Sequence, residues 1–72
     1  MTAKRLLFKQ CRKKIGTQAL VASELQISTV YIRMIENGTF TPGRDLMFRI
    51  AERFGKSAEE LFPDYFDKIK VI

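Results

Sequence analysis

The chain has 72 residues, which corresponds to one small domain and excludes a multidomain enzyme. Hydrophobic residues make up 46% of it and charged residues 29%, so it has the apolar content of a folded domain rather than of a disordered tail. The net charge of +5 suits a polyanionic partner, and the first 44 residues hold eight of the 13 basic side chains but only two of the 8 acidic ones.

Residue usage narrows the class of protein further. Cys11 is the only cysteine and histidine is absent, so no internal disulfide can form and no zinc finger or zinc catalytic site can be assembled from this chain. No pair of nucleophile and base is visible, and basic residues interrupt the apolar stretch at residues 6–8 too early for a signal peptide or a spanning helix. We therefore expect a cytoplasmic protein that is not an enzyme, that needs no metal or cofactor and that enters no membrane.

The first predicted helix is amphipathic. The pattern predicts a helix over residues 3–14 with a basic outer face, and Gly16 ends it because glycine readily adopts the positive φ that closes a helix. Thr17 then caps a second helix over residues 18–25, since its hydroxyl can accept hydrogen bonds from the free amides of the first turn. Four apolar residues at three- and four-residue spacing mark the buried stripe of the first helix: Leu7, Phe8, Cys11 and Ile15.

A three-residue break leads into the third predicted helix, which Ser28 caps and which runs from residue 29 to residue 36 or 37. Asn37 and Gly38 stop this helix, because both tolerate left-handed backbone. Together with the second helix it forms a helix-turn-helix at about residues 18–37. Five apolar residues and one small one fall where these two helices touch each other and the core: Val21, Ala22, Leu25, Ile27, Ile32 and Ile35.

Two further helices are predicted after a loop at residues 39–43. The fourth helix runs from residue 44 or 45 to residue 54. Ser57 and Glu60 fit a capping box, in which each side chain satisfies the other residue's amide, and a short fifth helix follows over residues 58–62. On the fourth helix we expect four buried residues: Leu46, Ile50, Ala51 and Phe54.

The C-terminal tail, residues 64–72, has an irregular apolar pattern. It fits either a short helix around residues 65–69 or an extended end at residues 69–72. The predicted elements together form five short helices in a compact bundle, which is a single domain over residues 1–72.

A set of residues with a recognisable pattern extends over most of the chain: Gln18, Ala22, Ile27, Ser28, Tyr31, Ile32, the Ile-Glu-Asn-Gly run at 35–38, Pro42, Ile50, Ala51 and the segment 57–62. On these residues the chain resembles, from about Phe8 to Phe62, the phage repressor and Cro type of helix-turn-helix regulators, the Xre family. The resemblance implies an all-α, compact five-helix, lambda-repressor-like DNA-binding domain. The chain departs from the family pattern at Gln26, where glycine is usual, so we expect left-handed backbone there. Cys11 stands where leucine is usual, so we expect a buried thiol.

The resemblance also implies that the third helix lies in the major groove of double-stranded DNA. By position, the base contacts would be Thr29, Val30, Arg33 and Met34. The phosphate contacts would be Gln18, Ser28, Tyr31, Asn37, Thr39 and Arg44, with diffuse attraction from Arg12, Lys13 and Lys14. Arg33 would otherwise contact a phosphate or solvent, Met34 would lie loosely on the surface, and Tyr31 would pack against the second helix.

One helix-turn-helix reads only about four or five base pairs, so we expect a homodimer that reads an inverted repeat. The candidate dimer contacts are Phe40, Leu61, Phe62, Tyr65, Phe66, Ile69, Val71 and Ile72. Of these, Phe40 could equally fold back on the fourth helix. For Tyr65 and Phe66 we favour a position that covers the first and fifth helices of their own chain.

The predicted function is a sequence-specific transcription regulator that binds double-stranded DNA as a homodimer, and we favour a repressor. The alternative is an antitoxin or another protein-interaction module that binds DNA secondarily. In that case the apolar C-terminal tail would contact a protein partner.

Overall fold

The computed structural model describes the backbone of residues 5–70 and the side chains of residues 5–66. These residues form six helices and no strand, so the all-α prediction is confirmed. The helices are α1 (Leu6–Ile15), α2 (Gln18–Leu25), α3 (Thr29–Glu36), α4 (Arg44–Phe54), α5 (Ala58–Leu61) and α6 (Pro63–Lys70). The first five correspond to the predicted helices, and α6 is the C-terminal tail.

Three of the helices begin at the predicted side-chain caps. The Thr17 hydroxyl accepts a hydrogen bond from the Leu20 amide at 3.1 Å, and the Ser28 hydroxyl accepts one from the Tyr31 amide at 3.0 Å. Ser57 forms both halves of the predicted capping box at the start of α5. Gln26, which ends α2, has φ 60° and is the only non-glycine residue with positive φ in the described chain, as the departure from the family pattern predicted.

The tail forms a helix in residues 63–70, so the extended alternative is wrong for residues 69 and 70, and residues 71 and 72 lie outside the described chain. Pro63 is the first residue of this helix. Proline is tolerated in the first helical position because its missing amide hydrogen would have no helical partner there. The first helix begins at Leu6, while the predicted start at residues 3 and 4 lies outside the described residues.

One hydrophobic core joins the first five helices. Val21, Ala22, Leu25, Ile32 and Ile35 are buried as predicted from the helix-turn-helix pattern, and Ile27 packs partly buried against them. The thiol of Cys11 is buried, also as predicted. The two helices of the motif therefore contact each other through the residues that their spacing selected.

The buried side of α4 differs from the prediction by one position. Met47 is fully buried with Ile50, whereas Leu46 and Phe54 are only partly buried against the core. Positions 47, 50, 51 and 54 form a stripe at helical spacing, and position 46 lies at its edge. Phe54 still contributes, because its ring packs edge-on against Phe8 with 4.9 Å between centroids.

Leu61 and Phe62 are also placed differently from the expectation that they contact a second copy. Both side chains are fully buried in the core of their own chain, and the Phe62 ring lies 5.9 Å from the Phe8 ring. A domain this small needs such residues at its single core, which therefore extends further toward the C-terminus than the sequence pattern indicated.

Candidate nucleic-acid interface

The turn between α2 and α3 brings the two helices close together. The Ile27 amide donates to the Ala22 carbonyl at 2.9 Å, and the Ala22 side chain is only 1% exposed. A larger side chain at this position would meet the packed core, which explains the small residue. The turn holds α3 in a fixed orientation on α2.

The two faces of α3 differ sharply. Ile32 and Ile35 are fully buried, and they attach the helix to the core. Three of the predicted base-contact residues, Thr29, Val30 and Arg33, are exposed on the outer face. The fourth, Met34, is partly buried. Val30 exposes 54% of its surface. The structure thus brings the predicted base-contact set together on one accessible helix face.

The loop after α3 carries two of the predicted phosphate contacts, Asn37 and Thr39, and both are exposed. Gly38 has φ 78°, whereas Asn37 remains right-handed with φ −80°, so glycine alone makes the left-handed turn. The amides of Thr39 and Phe40 both donate to the Met34 carbonyl, at 3.0 and 3.2 Å. The loop therefore folds back on the end of α3.

The other predicted phosphate contacts lie at helix starts. Arg44 is exposed at the first position of α4, and Ser28 is exposed at the cap of α3, where its hydroxyl accepts from the Tyr31 amide. Tyr31 is partly buried, and its ring packs against Phe40 with 4.9 Å between centroids. Phe40 therefore has a partner on α3, a neighbour that neither of its two predicted placements included.

A buried ion pair lies behind the helix-turn-helix. The Arg12 guanidinium donates to both carboxylate oxygens of Glu36, from Nε at 2.8 Å and from Nη2 at 3.0 Å. The Gln18 amide nitrogen donates to the same carboxylate at 3.2 Å. The Arg12 side chain is 10% exposed and that of Glu36 is 4% exposed. Arg12 is therefore not part of the solvent-exposed basic run in which it was predicted, because its partner lies 24 residues further along the chain.

The contact between Arg12 and Glu36 shifts the pKa of each side chain in the direction that favours its charged form. Hydrogen bonding to Glu36 raises the pKa of Arg12 above its ordinary value, against the smaller opposing effect of burial. Burial would raise the pKa of Glu36, but the hydrogen bonds and charge of Arg12, together with Gln18 and Lys9, hold that pKa below 4.5. The pair remains charged at neutral pH.

A second buried arginine, Arg5, escaped the sequence reasoning altogether. Its guanidinium donates to both carboxylate oxygens of Asp64, at 3.1 and 2.9 Å, and lies 4.9 Å from the centre of the Phe62 ring. It also donates to acceptors between the end of α3 and residue 41. No local pattern indicates this cluster, because its members lie 30 to 59 residues apart in the sequence.

Gln18, a predicted phosphate contact, already has a partner within the protein, the Glu36 carboxylate. One of its amide hydrogens is directed to Glu36, and this leaves the second hydrogen and the amide oxygen for another partner.

None of the helices in residues 5–70 is both long and apolar enough to cross a membrane.

The comparisons agree with this geometry. The family model described as helix-turn-helix matches residues 8–61, about three quarters of the chain, and the family is of the phage repressor and Cro type. No curated protein and no solved structure matches the chain significantly. The chain belongs to the helix-turn-helix family, and it is a DNA-binding protein of the transcription regulator class.

Proposed function

We propose that this chain is a cytoplasmic repressor that recognises an inverted-repeat operator as a homodimer, with α3 in the major groove. The observation that carries the proposal is the exposed outer face of α3 on a helix whose inner face is fully buried. Because the core holds one face of the helix rigidly, the other face can contact base edges without an entropic cost of ordering the helix on binding.

Four residues on that face read the bases. Arg33 has a planar guanidinium that can donate to both O6 and N7 of guanine, which contributes roughly 1–3 kcal/mol of discrimination against a wrong base. Thr29 can exchange hydrogen bonds with a base or phosphate through its hydroxyl. Val30 and Met34 supply apolar surface for the thymine methyl group. Three of the four are exposed and Met34 is partly buried, which supports these roles.

Six residues around that face bind the phosphates. Asn37 and Thr39 extend from the loop after α3, and Arg44 adds a positive charge at the start of α4. The second amide hydrogen of Gln18 is directed to a phosphate while the first is held by Glu36. Ser28 and Tyr31 complete the set through their hydroxyl groups, near free amides at the start of α3.

Dimerisation brings two such faces onto one operator. Phe40 is the exposed aromatic residue of the proposed interface, next to the DNA-contacting loop. Tyr65 and Phe66 are partly buried against their own core, which supports a mainly intramolecular role for them. The remaining proposed contacts lie where the structure describes no side chains: Ile69, Val71 and Ile72.

Selection from a random duplex DNA pool at near-physiological salt tests the proposal. We expect enrichment of an inverted repeat and a homodimer by light scattering. Retention without any enriched sequence, and with binding that vanishes as salt rises, would contradict it. Co-purification with a second protein that blocks DNA binding would instead favour the antitoxin alternative.

Two substitutions separate base reading from phosphate binding. Arg33→Ala should relax the preference at one base position of the enriched sequence, whereas Asn37→Ala should weaken binding to all sequences about equally. Arg53→Ala is the matched control for charge, because Arg53 is exposed on α4 and pairs with Glu24. A uniform loss of affinity in Arg33→Ala would overturn the assignment of base reading.

A further inference from the structure

The Arg5 side chain is only 1% exposed, and all five N–H donors of its guanidinium bind protein acceptors. Nη1 donates to the Ile35 carbonyl at 2.7 Å and to the Phe40 carbonyl at 2.8 Å. Nη2 donates to the Thr41 hydroxyl at 2.8 Å, and the remaining two donors bind Asp64. One side chain thus connects the start of the chain, the end of α3, the following loop and α6.

Three of these five hydrogen bonds bracket the loop that contains Asn37 and Thr39. The Ile35 acceptor lies just before the loop, and the Phe40 and Thr41 acceptors lie at its far end. The Arg5 amide adds a bond to the Glu36 carbonyl at 3.1 Å. The two ends of the loop are therefore held at a fixed separation by the same guanidinium plane.

We infer that Arg5 is a positioning residue for DNA binding, which sets the conformation of the loop at residues 37–41 and through it the phosphate contacts of Asn37 and Thr39. The inference rests on the proposed function, which assigns those two contacts. Arg5 does not reach DNA itself, because its guanidinium is enclosed by protein acceptors.

The Arg5 guanidinium also binds α6 in the C-terminal tail. Asp64 lies in the first turn of α6, and its carboxylate accepts two of the five hydrogen bonds. A change in the tail that withdraws Asp64 therefore acts on the group that holds the DNA-binding loop.

A double-mutant cycle tests the inference, with a labelled mixed-sequence DNA duplex as the probe because phosphate contacts do not depend on sequence. In the otherwise unchanged chain, the pair Asn37→Ala and Thr39→Val should weaken binding about tenfold, or about threefold for each neutral hydrogen bond. In the Arg5→Met background the contacts are already lost, so the same pair should weaken binding by less than about twofold. Binding is measured at a temperature at which circular dichroism shows that every variant is folded.

Arg53→Met is the matched control, because it removes the same charge from an exposed position. The loop pair should keep its full tenfold effect in that background. Arg5→Lys keeps the charge but not the planar fork, so it should behave like Arg5→Met, and it decides the question if Arg5→Met does not fold. Thr41→Val, which removes a single acceptor, is the mildest version of the same cycle.

The possible failures are distinguishable. If the loop pair weakens the Arg5 variants as strongly as the unchanged chain, Arg5 has only a structural role and the inference is wrong, while the proposed function stands. A loop pair without effect in the unchanged chain would also overturn the inference, since the loop would not contact DNA. Absence of DNA binding by the unchanged chain would overturn both.

Discussion

The two buried arginines of this domain, Arg5 at the N-cap of α1 and Arg12 within α1, both bind the C-terminal end of α3. Arg12 binds the side chain of Glu36, the last residue of α3, while Arg5 binds the backbone carbonyl of Ile35 and the loop beyond it. Arg12 and Glu36 both lie within residues 8–61, the segment that matches the family, whereas Arg5 and Asp64 both lie outside it. The end of the proposed recognition helix is therefore held by a contact inside the family segment and by Arg5, which lies before that segment and also binds Asp64 after it.

The two contacts also differ in how they are stabilised. The Arg12 pair is a bidentate contact between two charges, and the Glu36 carboxylate is almost completely removed from water. Arg5 divides its hydrogen bonds between three neutral oxygens and the Asp64 carboxylate, which is 36% exposed. Loss of one charge should thus be more costly in the Arg12 pair than at Asp64, because water can reach what remains of the second cluster.

The largest effect is expected from Arg12→Met. This substitution leaves the buried Glu36 carboxylate without its charged partner, so the free energy of unfolding should fall by about 3–5 kcal/mol. Urea-induced unfolding followed by circular dichroism measures the change. For a domain of this size such a loss is a large share of the total stability.

The double variant Arg12→Met with Glu36→Met is the control for that prediction. It replaces the ion pair by apolar side chains, and it should recover most of the lost stability because no buried charge remains. Equal instability of the single and double variants would indicate that Arg12 matters for packing rather than for charge.

The next effect is a loss of stability in acid. The folded-state pKa of Glu36 lies below its ordinary value of 4.5, so its contribution to stability is complete above about pH 4.5 and is lost as the pH falls through the folded-state value. Unfolding free energies measured from pH 7 down to pH 3 should fall more steeply for the unchanged chain than for the double variant, which lacks this carboxylate. Parallel curves would mean that Glu36 does not couple folding to protons.

The Arg5 cluster should respond more mildly to a single change. Asp64→Asn removes the charge of the only ionised acceptor but keeps the shape of the side chain, and Arg5 retains its three bonds to the loop and to α3. Because Asp64 is partly exposed, we expect the free energy of unfolding to fall by only about 1 kcal/mol. A loss as large as that of Arg12→Met would show that the two clusters are energetically equivalent and would remove the difference argued above.

The contrast between the clusters also explains what the sequence could predict. The helices, their caps and the core of the helix-turn-helix depend on residues within four positions of one another, and these predictions are confirmed for Thr17, Ser28 and Ile32. The candidate base contacts were implied by the resemblance to the Xre family, and their exposure is consistent with that role without testing it.

Contacts between distant segments left no local signal. Arg12 was interpreted as a member of a basic run and Arg5 was assigned no role, because the acceptors that bury them lie 24 to 59 residues away. The placement of Phe62 was wrong for a related reason, since the core that encloses it is closed by α1. Burial of a single residue between two helices, such as Phe62 between α5 and α6, depends on tertiary packing, which periodicity does not record.

The smallest effect is expected at the third arginine ion pair, which lies on the surface. Arg53 donates to Glu24 at 2.9 and 3.2 Å, a bidentate geometry like that of Arg12, but both side chains are substantially exposed, at 44% and 35%. Water screens this pair and replaces its hydrogen bonds when it is broken, so Arg53→Met should leave the unfolding midpoint in urea unchanged within error. A measurable loss would mean that bidentate geometry stabilises the fold irrespective of burial, and the difference between the two buried clusters would then need a cause other than exposure to water.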